Sequence, residues 1–411
     1  DRRESNVRSY SRSFPAVFVK GKDAFLFDKQ GKRYVDFFSG AGALNYGHNP
    51  AQMKVALVEY LEADGIVHGL DMATGAKQRF LEIFESVVLE PRGLDHKIQF
   101  CGPTGTNAVE AALKLARRVT RRANIIAFTN AYHGHTAGAL SITGGASYRN
   151  EAYVNRNNVT FMPYDGYLGK DVNTIDYLAQ CLADGSSGVD TPAAVVLETV
   201  QAEGGVNVAT DTWLRDLESL CRQHDILLIV DDIQVGCGRT GPFFSFERAN
   251  IRPDIVTLSK SISGFGLPLA LVLIRPDLDQ WQPGEHTGTF RGNNLAFVTG
   301  AEALNAWKNP ALSQAVVRKG DRIMERLNGF INVYQGLEAR VRGLGLIHGL
   351  DIANPETSKA ITEEAFRRGL VIERCGPDGR VIKFLPPLTI EETVLEEGLD
   401  VIEQSIQLVA A

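Results

Sequence analysis

Long hydrophobic runs and basic clusters are both missing from this 411-residue chain. No apolar stretch approaches the roughly 20 residues that a membrane-spanning helix needs, and the polar N-terminus DRRESNVRSYSRSFP does not read as a signal peptide. The formal net charge is −6 and no segment is rich in lysine or arginine, which argues against nucleic acid or a membrane as a partner. The expected partners are therefore small molecules and other copies of the chain.

Cysteine is also scarce. The five cysteines are odd in number and scattered, and they include no Cys-x-x-Cys pair. This pattern argues against a disulfide framework and a thiolate metal site, and it favours the reducing cytoplasm. His133 and His135 are close in sequence, but no cluster of carboxylates or cysteines accompanies them, so we predict no metal site.

The chain does contain enough apolar sequence for a large core, because 44% of its residues are hydrophobic. Short apolar runs alternate with amphipathic helical patterns through the middle of the chain, which is typical of buried parallel strands in an α/β fold. These runs are NIIAF near residue 124, AAVVLE near 193, ILLIV near 226, DIVTL near 254 and LALVLI near 269.

The two ends of the chain have a different pattern. From about residue 296 helical periodicity dominates, and the strand-like pieces LIHGLDI and RVIKFL follow it. The N-terminal segment has the strand-like pieces AFLFD and RYVDFF around a turn. We therefore predict a large domain of residues 55–295 and a smaller α+β domain to which residues 1–54 and 296–411 contribute.

Glycine and threonine precede a predicted helix in GPTGTNAVEAALKLARR, residues 102–118. The first-turn amides of a helix lack internal partners and attract anions, so Gly105 and Thr106 are candidate phosphate ligands. No lysine follows the second glycine, as a nucleotide P-loop requires, and no G-x-G-x-x-G motif follows a predicted strand. The segment fits a phosphate on another molecule, with a helix start that binds nothing as the alternative.

Two further polar residues lie at the ends of predicted strands. ILLIV leads directly into Asp231, and a buried carboxylate needs a cationic partner. Lys260 follows DIVTL, where a lysine either extends to water or uses its amine as a nucleophile. Pyridoxal phosphate needs a lysine for its aldehyde, a phosphate cup and an acid at its pyridine nitrogen. The three features together predict this cofactor, with the protonated pyridine as the partner of Asp231.

Essentially the whole chain resembles the class III aminotransferases of pyridoxal-phosphate fold type I. The matching stretches are DFFSGAGALNYGHNP, GPTGTNAVEAALKLAR, YHGHT, ETVQAEGG, DDIQVGCGRTG, the Ser-Lys pair before GFGLPLA, GTFRGN and KFLPPL. Within that class, ESNVRSYSRSFP, DGIVHGLD, PRGLD and FMPYDGYLG resemble the L-2,4-diaminobutyrate:2-oxoglutarate aminotransferases of ectoine synthesis. The implied large domain has a mostly parallel seven-stranded sheet flanked by helices.

The resemblance implies roles for the matching residues around the cofactor ring. Lys260 would form the Schiff base and, once displaced, move the proton between substrate and cofactor. Asp231 would pair with the pyridinium nitrogen, and Gln234 would approach the 3′-oxygen. Ile233 and Tyr132 would pack against opposite faces of the ring.

The resemblance also implies a phosphate cup that two subunits share. Gly105 and Thr106 would bind the phosphate from one subunit, and Thr289 would reach it from the neighbour. A homodimer or a dimer of dimers is therefore expected, because a single subunit would lack a complete cup.

Three positions bear on the substrate. Ornithine- and GABA-type relatives bind substrate carboxylates with two arginines, and His135 and Lys383 occupy those positions here. A lysine cannot make the forked contact of an arginine. Glu203 matches the glutamate that pairs with the second arginine, and we expect it to pair with Lys383 except when glutamate is bound. Asp232 and Cys237 are expected to be structural.

The expected reaction is transfer of the 4-amino group between L-2,4-diaminobutyrate and 2-oxoglutarate, which interconverts these with L-aspartate 4-semialdehyde and L-glutamate. Its expected place is ectoine biosynthesis. One alternative is another ω-aminotransferase, acting on ornithine, GABA or β-alanine, or a supply of diaminobutyrate for siderophores or peptide antibiotics. A different class of alternative is a phosphate-binding module in which Lys260 is only a structural charge.

Overall fold

The computed structural model describes residues 3–150, 152 and 157–410. The strands in these residues are β1 Phe18–Lys22, β2 Phe25–Asp28, β3 Arg33–Asp36, β4 Lys97–Phe100, β5 Ile125–Phe128, β6 Val159–Met162, β7 Ala194–Leu197, β8 Val200–Gln201, β9 Asn207–Val208, β10 Leu227–Asp231, β11 Ile255–Leu258, β12 Leu271–Ile274, β13 Ala339–Leu344, β14 Ile347–Ile352, β15 Leu370–Val371, β16 Glu373–Cys375 and β17 Val381–Phe384. The helical segments are α1 Tyr10–Ser13, α2 Ser39–Gly42, α3 Ala51–Glu62, α4 Gly75–Phe84, α5 Gly105–Thr120, α6 Ala137–Ser141, α7 Thr174–Ala183, α8 Asp211–Gln223, α9 Asn294–Leu304, α10 Ala311–Val333, α11 Pro355–Arg367 and α12 Glu392–Ala410.

The centre of the molecule is a seven-stranded sheet with the strand order β4-β12-β11-β10-β7-β5-β6. Six of its strands run in one direction. The five apolar runs singled out in the sequence form β5, β7, β10, β11 and β12. The predicted α/β fold with a mostly parallel seven-stranded sheet is confirmed.

One direction in that sheet was predicted wrongly. The run LALVLI was expected to form a parallel strand, but β12 is antiparallel to both of its neighbours, β11 and β4. Residues 259–270 connect β11 to β12 with only a short 3-10 turn at Lys260–Ser263. A parallel connection needs a crossover, usually a helix, so this short link forces the chain to reverse.

The sheet is buried on both faces, which explains why its strands are continuously apolar. Along β10, Leu228 and Val230 belong to one hydrophobic cluster, whereas Leu227 and Ile229 belong to another. The second cluster also contains the apolar face of α5. Alternate side chains of one strand thus pack into layers on opposite sides of the sheet.

Two smaller sheets contain residues from the ends of the chain. One has the order β1-β2-β3-β15, in which Val35 of β3 pairs in parallel with Leu370 of β15. The other is antiparallel, with the order β13-β14-β17-β16. The domain boundaries at 54/55 and 295/296 stay predictions.

The sheet direction places several polar residues at one edge. Asp231 ends β10, Lys260 follows β11, and Tyr132 follows β5, so all three lie beyond the carboxyl ends of parallel strands. Ligands of open α/β sheets bind at this edge. Among residues 3–150, 152 and 157–410, no helix combines the length and hydrophobicity required to cross a bilayer.

Candidate active site

A cavity of about 540 Å³ lies at the carboxyl edge of the sheet. Apart from Lys383 and Thr289, all of the site residues predicted from the sequence line it. They are Gly105, Thr106, Tyr132, His135, Glu203, Asp231, Ile233, Gln234 and Lys260. Residues distant in sequence therefore converge on one space large enough for a cofactor and a small substrate.

One wall of the cavity is the N-terminus of α5. Thr104 precedes this helix and provides no side-chain cap, so the amides of Gly105 and Thr106 can bind an anion. The hydroxyls of Thr106 and Thr136 lie 2.6 Å apart, which fixes the Thr106 side chain. A Cβ on Gly105 would lie 3.0 Å from Cδ1 of Ile233. The glycine therefore lets Ile233 pack closely beside the helix start.

Asp231 is buried and held by three donors. Its Oδ1 accepts hydrogen bonds from the Ile233 amide and the Thr257 hydroxyl, both at 3.2 Å. Its Oδ2 lies 2.7 Å from Nδ1 of His133. Burial alone lowers the pKa of His133, but the hydrogen bond and charge of Asp231 outweigh it and raise that pKa above its usual value.

Lys260 extends into the same cavity from a strained backbone position. Its φ is +51°, in the left-handed region that disfavours residues other than glycine. Within the described part of the chain, its Nζ forms no hydrogen bond or ion pair. Burial lowers the pKa of the amine, and the charge of Lys383 adds to this effect. A larger fraction of the amine is therefore in its nucleophilic, uncharged form.

Lys383 lies behind the cavity and is completely buried. Its Nζ is 2.6 Å from Glu203, 3.2 Å from Oε1 of Gln234 and 3.0 Å from Glu373. Burial would raise the pKa of Glu203, but the charge of Lys383 outweighs it and lowers that pKa. Burial raises the pKa of Glu373 to about 7, because Lys383 compensates it only partly.

Gln234 connects this group to the opposite wall. Its Nε2 donates to the carbonyl of Ala41 at 2.9 Å and to Glu203 at 3.1 Å. Ala41 belongs to α2, which is a left-handed turn with φ values of +48° at Ser39 and +56° at Ala41. Such strain persists where the surroundings hold it, and it is common at functional sites.

Aromatic rings form the mouth of the cavity. Tyr132, His135 and Tyr148 lie 5.2 to 5.6 Å from one another, centroid to centroid. Burial raises the pKa of Tyr132 to about 12, so its hydroxyl stays protonated at neutral pH. Tyr10 of α1 also lines the cavity and packs on Phe38 at 4.8 Å.

Besides Lys383, three residues named in the sequence analysis lie outside the cavity lining. Asp232 is completely buried and accepts hydrogen bonds from the amide and hydroxyl of Ser245. Burial raises its pKa to about 7. Cys237 is buried, and burial raises the pKa of its thiol. Thr289 is exposed, and its carbonyl accepts a hydrogen bond from His68 at 3.0 Å.

The sequence profile of the family described as aminotransferase class-III matches residues 7–406. The chain belongs to the class III aminotransferases. The predicted family membership and enzyme class are confirmed by this match, which spans nearly the whole chain.

Similar proteins give the family context. A diaminobutyrate--2-oxoglutarate transaminase of Wolinella succinogenes is 59% identical over 403 residues, which cover 98% of this chain and 94% of that protein. One from Halomonas elongata is 54% identical over 98% of this chain and 97% of that protein. Among solved structures, the ornithine aminotransferase of Toxoplasma gondii has a TM-score of 0.86 at 27% identity, covering 99% of this chain and 93% of that one.

Pyridoxal phosphate is the cofactor of this family, and its prediction for this chain is confirmed. A second structure of the Toxoplasma gondii enzyme holds it at partial occupancy in the active site. The cavity fits the cofactor, because it combines an uncapped helix start, a buried carboxylate and an amine that has no hydrogen bond or ion pair to the described residues. In the described part of the chain, no group of three or more histidine, cysteine, aspartate or glutamate side chains could hold a metal ion.

Sequence reasoning missed several residues of this site, among them His133, Tyr10 and Glu373. His133 directly follows Tyr132, and its place after a predicted strand was the available signal. Tyr10 and Glu373 had no comparable signal, because they reach the site through the packing of the two chain ends.

Proposed function

We propose that this enzyme transfers the 4-amino group of L-2,4-diaminobutyrate to 2-oxoglutarate and that it also runs in reverse. The main support is an arrangement of four residues. Lys260, Asp231 and Glu203 line one cavity, and Glu203 forms an ion pair with Lys383 at its edge. The relatives from Wolinella succinogenes and Halomonas elongata that carry this activity in their names support the choice of substrate.

The cofactor supplies an aldehyde that takes up the amino group and a ring that withdraws electrons. Lys260 provides the amine that binds it, and afterwards moves a proton at the substrate carbon. Asp231, supported by His133, keeps a positive charge at the ring nitrogen. The amides of Gly105 and Thr106, at the start of α5, would hold the phosphate.

The remaining predicted residues orient the ring. Ile233 and Tyr132 both line the cavity and would pack against opposite faces of the ring. Gln234 fixes the position of Glu203 through the 3.1 Å contact and also faces the cofactor. Together they hold the reacting carbon in place, which is a large part of catalysis in such a site.

The two amino groups reach the reacting position with different neighbours. The 4-carbon of diaminobutyrate has no carboxylate beside it, so Glu203 can stay paired with Lys383. The α-carbon of glutamate has one, and this carboxylate takes the place of Glu203 at Lys383. The 2.6 Å pair between Lys383 and Glu203 supports this exchange. His135, exposed at the cavity mouth, is positioned to contact the far end of the substrate.

Another ω-amine is the second candidate donor, since the fold is that of an ornithine aminotransferase at 27% identity. A panel of diaminobutyrate, ornithine, GABA and β-alanine against 2-oxoglutarate, compared by kcat/KM, tests the proposal. The highest kcat/KM is expected with diaminobutyrate. A higher value with another donor would reassign the substrate.

The phosphate-binding alternative has its own test. The purified enzyme with pyridoxal phosphate should absorb visible light, and Lys260→Ala should lose the band of the covalently bound cofactor. A wild-type protein that stays colourless with added cofactor would contradict the proposed aminotransferase activity.

We further propose a homodimer, or a dimer of dimers, in which Thr289 of one subunit completes the phosphate site of the other. Exposed apolar side chains near this residue support it, among them Met72 and Phe290, which is 67% exposed. Sedimentation should give at least twice the mass of the 44.9 kDa chain. Thr289→Ala should weaken cofactor retention, and a monomer that binds the cofactor fully would contradict the proposal.

The proposed setting is the cytoplasm and the proposed pathway is ectoine synthesis. All five cysteines are free thiols, which suits a reducing compartment. Supply of diaminobutyrate to siderophores or peptide antibiotics is the alternative pathway. Deletion of the gene should abolish ectoine accumulation under salt stress, and diaminobutyrate should restore it.

A further inference from the structure

Lys383 has a second carboxylate partner that the sequence does not suggest. Glu373 of β16 lies directly opposite Lys383 of β17 in the antiparallel register, and its carboxylate is 3.0 Å from Nζ. Both side chains are buried. One buried cation therefore meets two acids, Glu203 and Glu373, that come from different parts of the chain.

The two acids face different spaces. Glu203 lines the cofactor cavity, where a substrate arrives. Glu373 lines a separate cavity of about 460 Å³, next to the N-terminal segment. A substrate carboxylate that enters the cofactor cavity can therefore displace Glu203 and leave Glu373 in place.

Lys383 is a buried cation, so it needs Glu373 as a partner whenever Glu203 moves away. A lysine ammonium has three N–H donors. Here Nζ donates hydrogen bonds to Glu203 and Gln234, and its contact with Glu373 is a 3.0 Å ion pair. Removing the only partner of a buried charge is strongly unfavourable. If Glu203 held Lys383 alone, its displacement would pass through an unpaired cation, and the pair would resist opening.

We propose that Glu373 is a positioning residue that keeps Lys383 fixed and charge-paired while Glu203 is exchanged for the carboxylate of glutamate or 2-oxoglutarate. This inference rests on the proposed exchange of carboxylates at Lys383. Because Glu373 also pairs with Lys383, the ion pair between Lys383 and Glu203 is weaker than it would be alone. When Glu203 moves away, Glu373 keeps the ammonium in place, and one N–H donor becomes free for the incoming carboxylate. It thereby compensates for the absence of a forked arginine.

The substitution Glu373→Gln in the holoenzyme tests the proposal, because it keeps the shape and removes the charge. Lys383 then pairs with Glu203 alone, so the KM for glutamate and for 2-oxoglutarate should rise about 10-fold, the scale of a hydrogen bond to a charged group. The KM for the ω-amine donor should change less than twofold, because that half-reaction leaves the pair closed. Glutarate, which cannot react, should bind about 10-fold more weakly in calorimetry.

Asp351→Asn is the matched control. Asp351 is a buried carboxylate in the same small sheet, and it is paired with Arg342 and Arg380 away from the cavity. This variant should lose stability without changing the ratio of the two KM values. If Glu373→Gln behaves like Asp351→Asn, or raises both KM values equally, Glu373 has only a structural role and the proposal is wrong.

The pH profile is an independent readout. Burial raises the pKa of Glu373 to about 7, so acid should remove its charge and reproduce the effect of glutamine. The KM for glutamate should therefore rise as pH falls below 7 in the wild type, and this rise should be absent in Glu373→Gln. The charged or titratable groups that act on Glu373 are Lys383, Glu203, Lys260, Tyr10, Tyr148 and Cys375.

Failure of Glu373→Gln to fold, or a different preferred donor, would each leave a test of the proposal. Should Glu373→Gln not fold, Glu373→Asp keeps the charge, and it should retain a KM for glutamate within a few-fold of the wild type. An uncharged replacement that did equally well would overturn the proposal. Should the donor panel favour ornithine or GABA, the proposed donor fails, but the selective effect on glutamate is still expected.

Discussion

Nδ1 of His133 lies 2.7 Å from Oδ2 of Asp231, and both side chains are buried beneath the cofactor cavity. Burial lowers the pKa of His133, but the hydrogen bond and the charge of Asp231 outweigh burial and raise that pKa. This contact fixes the Asp231 carboxylate at the place where it can meet the ring nitrogen of the cofactor.

Replacement of Asp231 by Asn should keep the covalent attachment of the cofactor at Lys260 but remove most transamination. A neutral amide cannot stabilise a protonated ring nitrogen, so the ring withdraws electrons poorly. The visible spectrum should still show bound cofactor, while kcat falls by about 100-fold or more on the scale of a lost catalytic charge contact. Nearly full activity in this variant would contradict the role of Asp231.

His133→Phe should reduce kcat while the protein still folds. The ring fills a similar volume, but Asp231 loses a hydrogen bond to a charged group, which is worth about 10- to 100-fold in rate. Cofactor titration and steady-state kinetics measure the two effects separately. His135→Phe is the control, since His135 is exposed and does not contact Asp231. Its kcat with saturating substrates should stay closer to that of the wild type.

Glu203→Ala should slow the half-reaction of diaminobutyrate more than that of glutamate. The substitution removes the carboxylate that pairs with Lys383 on the side of the cavity. Diaminobutyrate has no carboxylate at its reacting carbon to replace it. Glutamate brings its own carboxylate and restores the pair. The rate of the single-turnover absorbance change should fall about tenfold more with diaminobutyrate than with glutamate. An equal loss in both half-reactions would rule out the exchange.

Asp232→Asn should cost far less activity than Asp231→Asn, because Asp232 bonds to Ser245 and does not line the cavity. It should change the pH dependence of stability instead. The pKa of Asp232 is raised from 3.8 to about 7, so the native state binds a proton more tightly than the unfolded chain. Stability from this group is present at low pH and falls as pH rises from about 4 to about 7.

Melting temperatures measured from pH 4 to pH 8 check this prediction. The fall with rising pH should be smaller in Asp232→Asn than in the wild type. Some fall should persist, because burial also raises the pKa of Glu198 and of Glu373 to about 7. An unchanged pH profile of stability would show that Asp232 is ionised without cost.

The sequence was informative wherever a local pattern determines the outcome. A continuously apolar run followed by a polar residue located Asp231 and Lys260 at strand ends, because burial on both faces leaves such a pattern. Direction was harder: β12 reverses because of a short connection, and its apolar pattern is the same in either direction. The roles assigned to the cavity residues stay predictions for the variants above.

Contacts between distant segments were beyond sequence reasoning. His133 reaches Asp231 across the ends of two strands, and a histidine beside a tyrosine does not specify that partner. Glu373 meets Lys383 through strand register, which a shift of one residue would abolish. Tyr10 enters the cavity through the packing of the N-terminal segment. Such placements depend on the assembled fold.

The pairing of β3 with β15 has a consequence for synthesis on the ribosome. Val35 emerges early, but its partner Leu370 emerges only after the whole central sheet has been made. During that interval the free edge of β3 exposes unpaired backbone groups, which is the condition under which nascent chains associate wrongly. The pairing of β3 with β15 therefore has to wait until late in synthesis, and a chaperone that shields the β1–β3 edge should raise the yield of active enzyme.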